Sequence, residues 1–316
     1  MSVAHSMIEI HRLHRWFGAT HAVNDVTFAV RRGHVFGFIG PNGAGKTTSM
    51  RILATLDLPD AGDTRVDGFS SLNDPDRVRR RLGFMPDAYG SYDNVNCREY
   101  LDFFARAYGL VGRERERAVR RTIDFTGLDQ LAEKPMRALS KGMKQRLCLG
   151  RAMIHDPSVL ILDEPAAGLD PRARIELRVM IRRLAADGKT VLVSSHILTE
   201  LAEMCDEVAI IERGQLLAVG TVDQIQQQQQ ERTGREVVVR TLSQEEAVQA
   251  WLMNQPQVGA IRHDGQLIHF AHHGDRTDEA RMLRALIEAG FEIAEFRSQQ
   301  KSLEDVFMQV TTGAVQ

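Results

Sequence analysis

Three short groups of residues in this chain have the types and spacing to do chemistry on a phosphate. The first is Gly40-Pro41-Asn42-Gly43-Ala44-Gly45-Lys46-Thr47-Thr48, which fits the phosphate-loop pattern G-x-x-x-x-G-K-[ST]. Glycines let such a loop fold back and aim successive backbone N–H groups at one anion. A helix starting at the loop adds the partial positive charge of its N-terminus. Lys46 would reach the β- and γ-phosphates, and the Thr47 hydroxyl would hold Mg²⁺. The second group, Leu162-Asp163-Glu164-Pro165, ends an apolar run. Asp163 can hold a water of the Mg²⁺ shell, and Glu164 can polarise a water that attacks the γ-phosphate. Two acids capping a helix look the same in isolation; the loop upstream favours the chemical reading. The third is His196, which follows Val193-Ser194-Ser195 at the end of another apolar run. Ligands gather at the carboxyl ends of strands in an α/β sheet, and an imidazole there can donate a hydrogen bond to the γ-phosphate.

These groups need strands and helices to hold them. Val35 to Ile39 is expected as a buried strand and Thr48 to Leu56 as a helix. Short β-like runs precede them at Ile8 to Ile10 and Val26 to Val30, with Arg31-Arg32-Gly33-His34 as a turn. Tyr100 to Tyr108, Arg117 to Thr126 and Lys141 to Ile154 carry helical apolar spacing, punctuated by Gly109, Gly127 and Pro135. Val159 to Leu162, Thr190 to Ser194 and Glu207 to Ile211 read as strands, alternating with helices at Arg172 to Ala186 and Ile197 to Cys205. The alternation predicts an α/β domain, a mostly parallel sheet with helices on both faces. Gln226 to Gln230 is five glutamines in a row, read as a polar linker or a frayed helix end. Beyond it the order β-α-β-β-α-β, with an Asp264-Gly265 hairpin signal, predicts a small ferredoxin-like α+β domain. The expected division is 1–225, containing a helical subdomain at about 88–155, a linker at 226–235, and an accessory domain at 236–316.

A chain of 316 residues suits about two domains. Its net charge of −2 predicts no broad attraction to nucleic acid. The arginine runs Arg77 to Arg81 and Arg113 to Arg121 read as solvated helix faces. Cys97, Cys148 and Cys205 fit neither a zinc site nor a disulfide framework, and Cys148 and Cys205 read as reduced core residues. The His269, His272 and His273 group reads as solvated, with metal binding as the second reading. No apolar run approaches the ~20 residues that span a bilayer, so a membrane role is expected to come through a partner.

One further motif makes a family resemblance. Leu139-Ser140-Lys141-Gly142-Met143-Lys144-Gln145-Arg146 resembles the L-S-G-G-Q signature of ABC transporter ATP-binding subunits, and residues 7–220 carry that family's motifs in order. Ser140 and Gly142 open a helix and can offer a hydroxyl and a backbone N–H to phosphate. The resemblance implies an ABC-type P-loop NTPase cassette, with an N-terminal antiparallel β subdomain and a helical signature subdomain. It implies ATP and Mg²⁺ as ligands and ATP hydrolysis as the activity. Two cassettes, identical or from two genes, would face head to tail, each ATP held between one loop and the other's signature. Asp170, in Ala167-Gly168-Leu169-Asp170, would lie in the loop crossing that interface. Phe17, before Gly18, matches the aromatic position that stacks on adenine. Asp87 stands where the family has a glutamine, and its carboxylate can still meet Mg²⁺ or its waters. Lys141 replaces a glycine, and either adds positive charge beside the partner's ATP or points to solvent. Lys301-Ser302-Leu303-Glu304-Asp305-Val306-Phe307 resembles the ending of subunits serving ABC-2-type exporters; alone it is a short amphipathic helix. This implies a separate transmembrane permease, docked near residues 87–100 with Tyr89 and Tyr92, and a location on the cytoplasmic face of the membrane. The alternative is a non-transport ATPase acting as a nucleotide-gated switch on a macromolecular complex.

Overall fold

The computed structural model describes residues 6–88, 90, 92, 94–197 and 201–299. The chain divides into two compact units, Met1–Gly220 and Thr221–Gln316.

The first unit is built on a six-stranded sheet. Its strands are β3 (Val35–Ile39), β6 (Leu82–Met85), β7 (Val159–Leu162), β8 (Thr190–Ser195), β9 (Glu207–Glu212) and β10 (Gln215–Gly220). Their order is β10-β9-β3-β8-β7-β6, parallel except for the β9–β10 hairpin. β3, β7 and β8 are buried at every position, which is why they read as unbroken apolar runs rather than alternating ones. A second, antiparallel sheet has the order β2-β1-β4-β5, from β1 (Ser6–Phe17), β2 (Thr20–Arg31), β4 (Ala61–Val66) and β5 (Phe69–Ser70). The apolar sides of both sheets join one core through Ile8, Ile10, Val26, Phe28, Phe36 and Phe38.

α1 (Lys46–Leu53) follows β3, and α2 (Pro75–Arg81) leads directly into β6. α3 (Cys97–Ala107), α4 (Gly112–Thr126) and α5 (Lys141–Met153) share a separate apolar core around Leu101, Val119, Ile123 and Leu147. This is the helical subdomain. α6 (Pro171–Ala186) connects β7 to β8.

Several elements differ from the expected ones for identifiable reasons. β1 and β2 are far longer than their apolar runs, because the register slips between Ile10 and Leu13, where Arg12 has φ +46°. A bulge of this kind breaks the alternation that marks a strand. α1 stops at Leu53 rather than Leu56, because Thr55 takes φ +61°, outside the helical region. β4, β5, β6 and β10 were not expected, whereas α2 carries the Arg77 to Arg81 run that read as a helix face, with Arg77, Arg79 and Arg80 exposed. β4 is polar in composition, and β6 begins where α2 ends with no turn residue between them.

The second unit opens with α7 (Val222–Thr233), so the glutamine run is the middle of a helix and not a linker. Thr221 and Gln224 form a reciprocal capping box at its start, which nucleates the helix; glutamine is itself a good helix former. Then follow β11 (Arg235–Thr241), α8 (Glu245–Met253), β12 (Val258–Asp264), β13 (Leu267–His272), α9 (Arg276–Glu288) and β14 (Ile293–Gln299). The antiparallel order β12-β13-β11-β14 is ferredoxin-like, and its core holds Val237, Val239, Val248, Leu252, Ile268 and Phe270. His272 is buried beside Glu279 and His269 bonds Glu236, so two of the three grouped histidines are not solvated. Residues 301–307, which carried the exporter-like ending, lie outside the described residues.

The three cysteines are free. Burial pushes the Cys148 thiol up to about 11 and raises that of Cys205 as well, which keeps both unreactive.

β6 packs so closely on α5 that a Cβ on Gly83 would lie 2.0 Å from the Ala152 carbonyl oxygen. Gly83→Ala is expected to lower stability by about 1–3 kcal/mol through overpacking. A denaturant melt showing no loss would mean that β6 and α5 can separate freely.

Candidate functional site

Lys46, Thr47, Asp163, Glu164, Asp87 and His196 all lie at or just beyond the carboxyl ends of β3, β7, β6 and β8, or at the start of α1. The parallel register sets this placement. Met85 pairs with Leu162, and Leu162 with Val193, so residues separated by tens of positions emerge side by side.

Gly40 to Gly45 form the turn between β3 and α1. Gly43 has φ +79° and Gly45 has φ +103°, conformations that only glycine adopts at low cost. The turn is also sterically locked. A Cβ on Gly40 would lie 2.3 Å from the Ile211 carbonyl oxygen, and one on Gly45 would lie 2.4 Å from that of Ala22. α1 has no side-chain cap and no acidic residue in its first turn. Its first N–H groups are therefore free of side-chain acceptors, as an anion site requires. Asn42 and Gly43 at the tip of the turn are exposed, Pro41 and Thr48 partly so, and Ala44 is buried.

Lys46 is only 5% exposed. Its ammonium donates to the carbonyl oxygens of Gly40 at 2.6 Å and Pro41 at 3.2 Å. It also pairs with Glu164 Oε1 at 3.4 Å. The other carboxylate oxygen of Glu164 meets His196 Nδ1 at 2.9 Å. Lysine, glutamate and histidine thus form one chain of contacts. Glu164 itself sits at φ +47°, a costly conformation for a residue with a Cβ. It is held there in part by its backbone N–H, which donates to Ser194 Oγ at 2.9 Å.

Asp163 is 1% exposed. Its Oδ1 accepts from Ser194 Oγ at 2.7 Å, whereas its Oδ2 is buried without a hydrogen-bond partner. Burial raises its pKa; the bond from Ser194 and the nearby Thr47 hydroxyl act in the opposite direction, and the charges of Asp87 and Glu164 add to the rise. Asp163 Oδ2, the Thr47 hydroxyl and the Asp87 carboxylate are hard oxygen donors near one another, a set suited to Mg²⁺.

Ser194 was not singled out in the sequence. It ties Asp163 to the backbone of Glu164, and it lay unremarked inside the run that ends at His196. A hydroxyl among the apolar residues of a buried strand was the available signal.

Ser140, Gly142 and Asp170 form a second group. Ser140 caps α5, accepting from Met143 N–H at 3.3 Å, and Asp170 caps α6, accepting from Ala173 N–H at 2.9 Å. The two helix starts meet, since a Cβ on Gly142 would lie 3.0 Å from that of Ala173. Lys141 is exposed, as one of its two expected positions requires. Its ammonium lies over Gly168, where a Cβ would come within 2.3 Å of Nζ, so it joins the signature to the Gly168–Asp170 loop. Among the described residues, no hydrogen bond or ion pair of Ser140, Gly142 or Asp170 reaches the Lys46 group. Phe17 ends β1 and is 49% exposed.

Comparison with known proteins agrees with this geometry. Residues 23–167 match the ABC transporter family profile, and residues 220–311 match the C-terminal domain of DrrA1-3-like ATP-binding proteins. The Nod factor export ATP-binding protein I of Ralstonia nicotianae is 38% identical over 214 residues, covering 68% of this chain and 67% of that protein. The daunorubicin resistance ATP-binding protein DrrA3 of Streptomyces coeruleorubidus is 32% identical over 313 residues, 98% of this chain and 97% of that one. A solved ATP-binding subunit of an ABC transporter superposes with a TM-score of 0.64 at 33% identity, covering 71% of this chain and 93% of its own. The fold is therefore that of a P-loop cassette. The chain belongs to the ATP-binding proteins of the ABC transporter family and carries a DrrA-like C-terminal domain.

The raised Asp163 pKa has a consequence for stability. The folded state binds that proton more tightly than the unfolded chain, so stability falls as pH rises from the unfolded carboxylate range, near ~4, through the folded pKa. Asp163→Asn is expected to raise the Tm of the nucleotide-free protein at neutral pH, with the gain shrinking as pH falls. Thermal melts across a pH series check this; a neutral-pH Tm at or below wild type would contradict it.

Proposed function

We propose that this protein is the ATP-hydrolysing subunit of an ABC-2-type exporter, working as a pair of cassettes with a separate membrane permease. The observation that carries the reading is the separation of two half-sites. The uncapped start of α1, with Lys46, offers one side of a phosphate cradle. Ser140 and Gly142 offer another side but, among the described residues, no hydrogen bond or ion pair joins them to it. A second cassette placed head to tail supplies what each lacks. The nucleotide then bridges two positive helix ends, and Asp170 stands at the crossing.

The loop's backbone N–H groups between Gly40 and Thr48, all but that of Pro41, which has none, together with Lys46, bind the β- and γ-phosphates. Mg²⁺, held by Thr47 and Asp163 with Asp87 on its waters, would neutralise phosphate charge as it develops. Glu164 accepts a proton from water as the water oxygen bonds to the γ-phosphorus. The bond from that phosphorus to the β–γ bridging oxygen breaks, leaving ADP and phosphate. His196 orients Glu164 through the contact already formed and donates to the γ-phosphate. Lys46 lies against Glu164; a bound phosphate would compete for that ammonium and free the carboxylate. ATP favours the closed pair, and its hydrolysis removes the bridge. Differential affinity for the two states is the work delivered to the permease.

No helix among the described residues is long and apolar enough to cross a membrane, which fits a permease on another chain. Tyr92 is half exposed at the start of the helical subdomain, where that permease would dock; Tyr89 lies outside the described residues. The similarity to export and drug-resistance ATP-binding proteins supports export over import.

Glu164→Gln is expected to lower ATP turnover by about 10²- to 10⁴-fold while still binding ATP, read by phosphate release and nucleotide titration. Purification from membranes should bring a polytopic subunit with the wild-type chain. Unchanged turnover would remove Glu164 from its role, and recovery with a soluble macromolecular complex instead would favour the switch reading.

A further inference from the structure

The β1–β2 hairpin is fixed against the phosphate loop through Ala22, whose carbonyl fills the space beside Gly45. Thr20 pairs with Phe17 across that hairpin and is two residues from Ala22, about 7 Å along a strand. Phe17 therefore stands within reach of the base of a nucleotide whose phosphates occupy the loop. A half-exposed phenylalanine at a strand end has little of its own to hold it. Here the Arg15 guanidinium lies 4.8 Å from the Phe17 ring centroid. The guanidinium is itself clamped, by Asp57 at 2.9 Å and by Asp60 at 3.3 and 3.4 Å. Asp60 also accepts the backbone N–H of Trp16 at 2.7 Å, and Asp57 that of Leu58 at 2.8 Å. The carboxylates thus lock both the arginine and the chain leading to Phe17. The Arg15 side chain is only 22% exposed, against 49% for Phe17.

We propose that Arg15 is a positioning residue for nucleotide-base recognition. It fills one face of Phe17, fixes the ring, and leaves the opposite face as a preset platform for a purine. The inference rests on the reading of Phe17 as the base-stacking residue. A planar cation over an aromatic face is attractive, and ordering the ring before binding lowers the entropic cost of the complex. Lysine could keep the charge for Asp57 and Asp60 but has no plane to lay on the ring. The three-residue clamp therefore selects arginine for its shape.

The test compares two probes, MgATP and magnesium tripolyphosphate, which has phosphates and no base, by calorimetric titration of the full chain. Arg15→Ala is expected to weaken ATP about 3- to 5-fold and leave tripolyphosphate unchanged. Arg15→Lys, which retains the charge, should show the same selective loss. Phe17→Ala should weaken ATP about 5-fold or more, and adding Arg15→Ala to it should cost nothing further. Equal weakening of both probes would make Arg15 a general structural residue and overturn the proposal. So would unchanged ATP affinity in Arg15→Ala and Arg15→Lys while Phe17→Ala loses it, with Phe17 keeping its role. Unchanged ATP affinity in Phe17→Ala would overturn the stacking reading itself, and the Arg15 proposal with it.

Discussion

A lysine ammonium buried at the bare start of a helix is the interaction on which the rest of this structure depends. Lys46 and the uncapped N–H groups of α1 concentrate positive potential in one turn, and the backbone carbonyls of Gly40 and Pro41 only partly answer it. Among the described residues, the carboxylate that pairs with Lys46 is Glu164. A buried cation is tolerated only when paired and hydrogen-bonded, so the carboxylate read as the general base also serves as counter-ion. A triphosphate is a better counter-ion than one carboxylate. On the function proposed above, the same electrostatic demand would link nucleotide arrival to release of Glu164.

The supporting structure holds this turn rigid. Gly40 and Gly45 have backbone oxygens where side chains would be. Ser194 binds Asp163 and the backbone of Glu164 together from the neighbouring strand. Glu164 remains at positive φ and Asp163 remains ionisable although buried, and both are unfavourable for folding alone. Such strain is found where a site is preset for a ligand.

Much of this was legible in the sequence because each signal is local. Glycine spacing around Lys46, the Asp163-Glu164 pair and the unbroken apolar runs of β3, β7 and β8 place the site on a parallel sheet. The ferredoxin-like order of the second unit was legible too, since its strands alternate and Asp264-Gly265 marks the hairpin. Signals that depend on pairing across the chain were not. β4 and β10 are strands because β1 and β9 pair with them, and Arg12's bulge hid most of β1. The glutamine run looked like a linker because composition alone does not show the Thr221–Gln224 cap. Ser194, Arg15 and the placement of Lys141 over Gly168 are contacts between segments distant in sequence, and no short motif announces them.

The division of the phosphate cradle between two cassettes is the central claim, and solution mass with bound-nucleotide content tests it most directly. The Glu164→Gln protein, given Mg²⁺ and ATP, should run as a two-cassette particle retaining two nucleotides, and adding Ser140→Arg should return it to a single cassette. A Glu164→Gln particle that stays a single cassette with tightly held ATP, whether or not Ser140 is replaced, would contradict it.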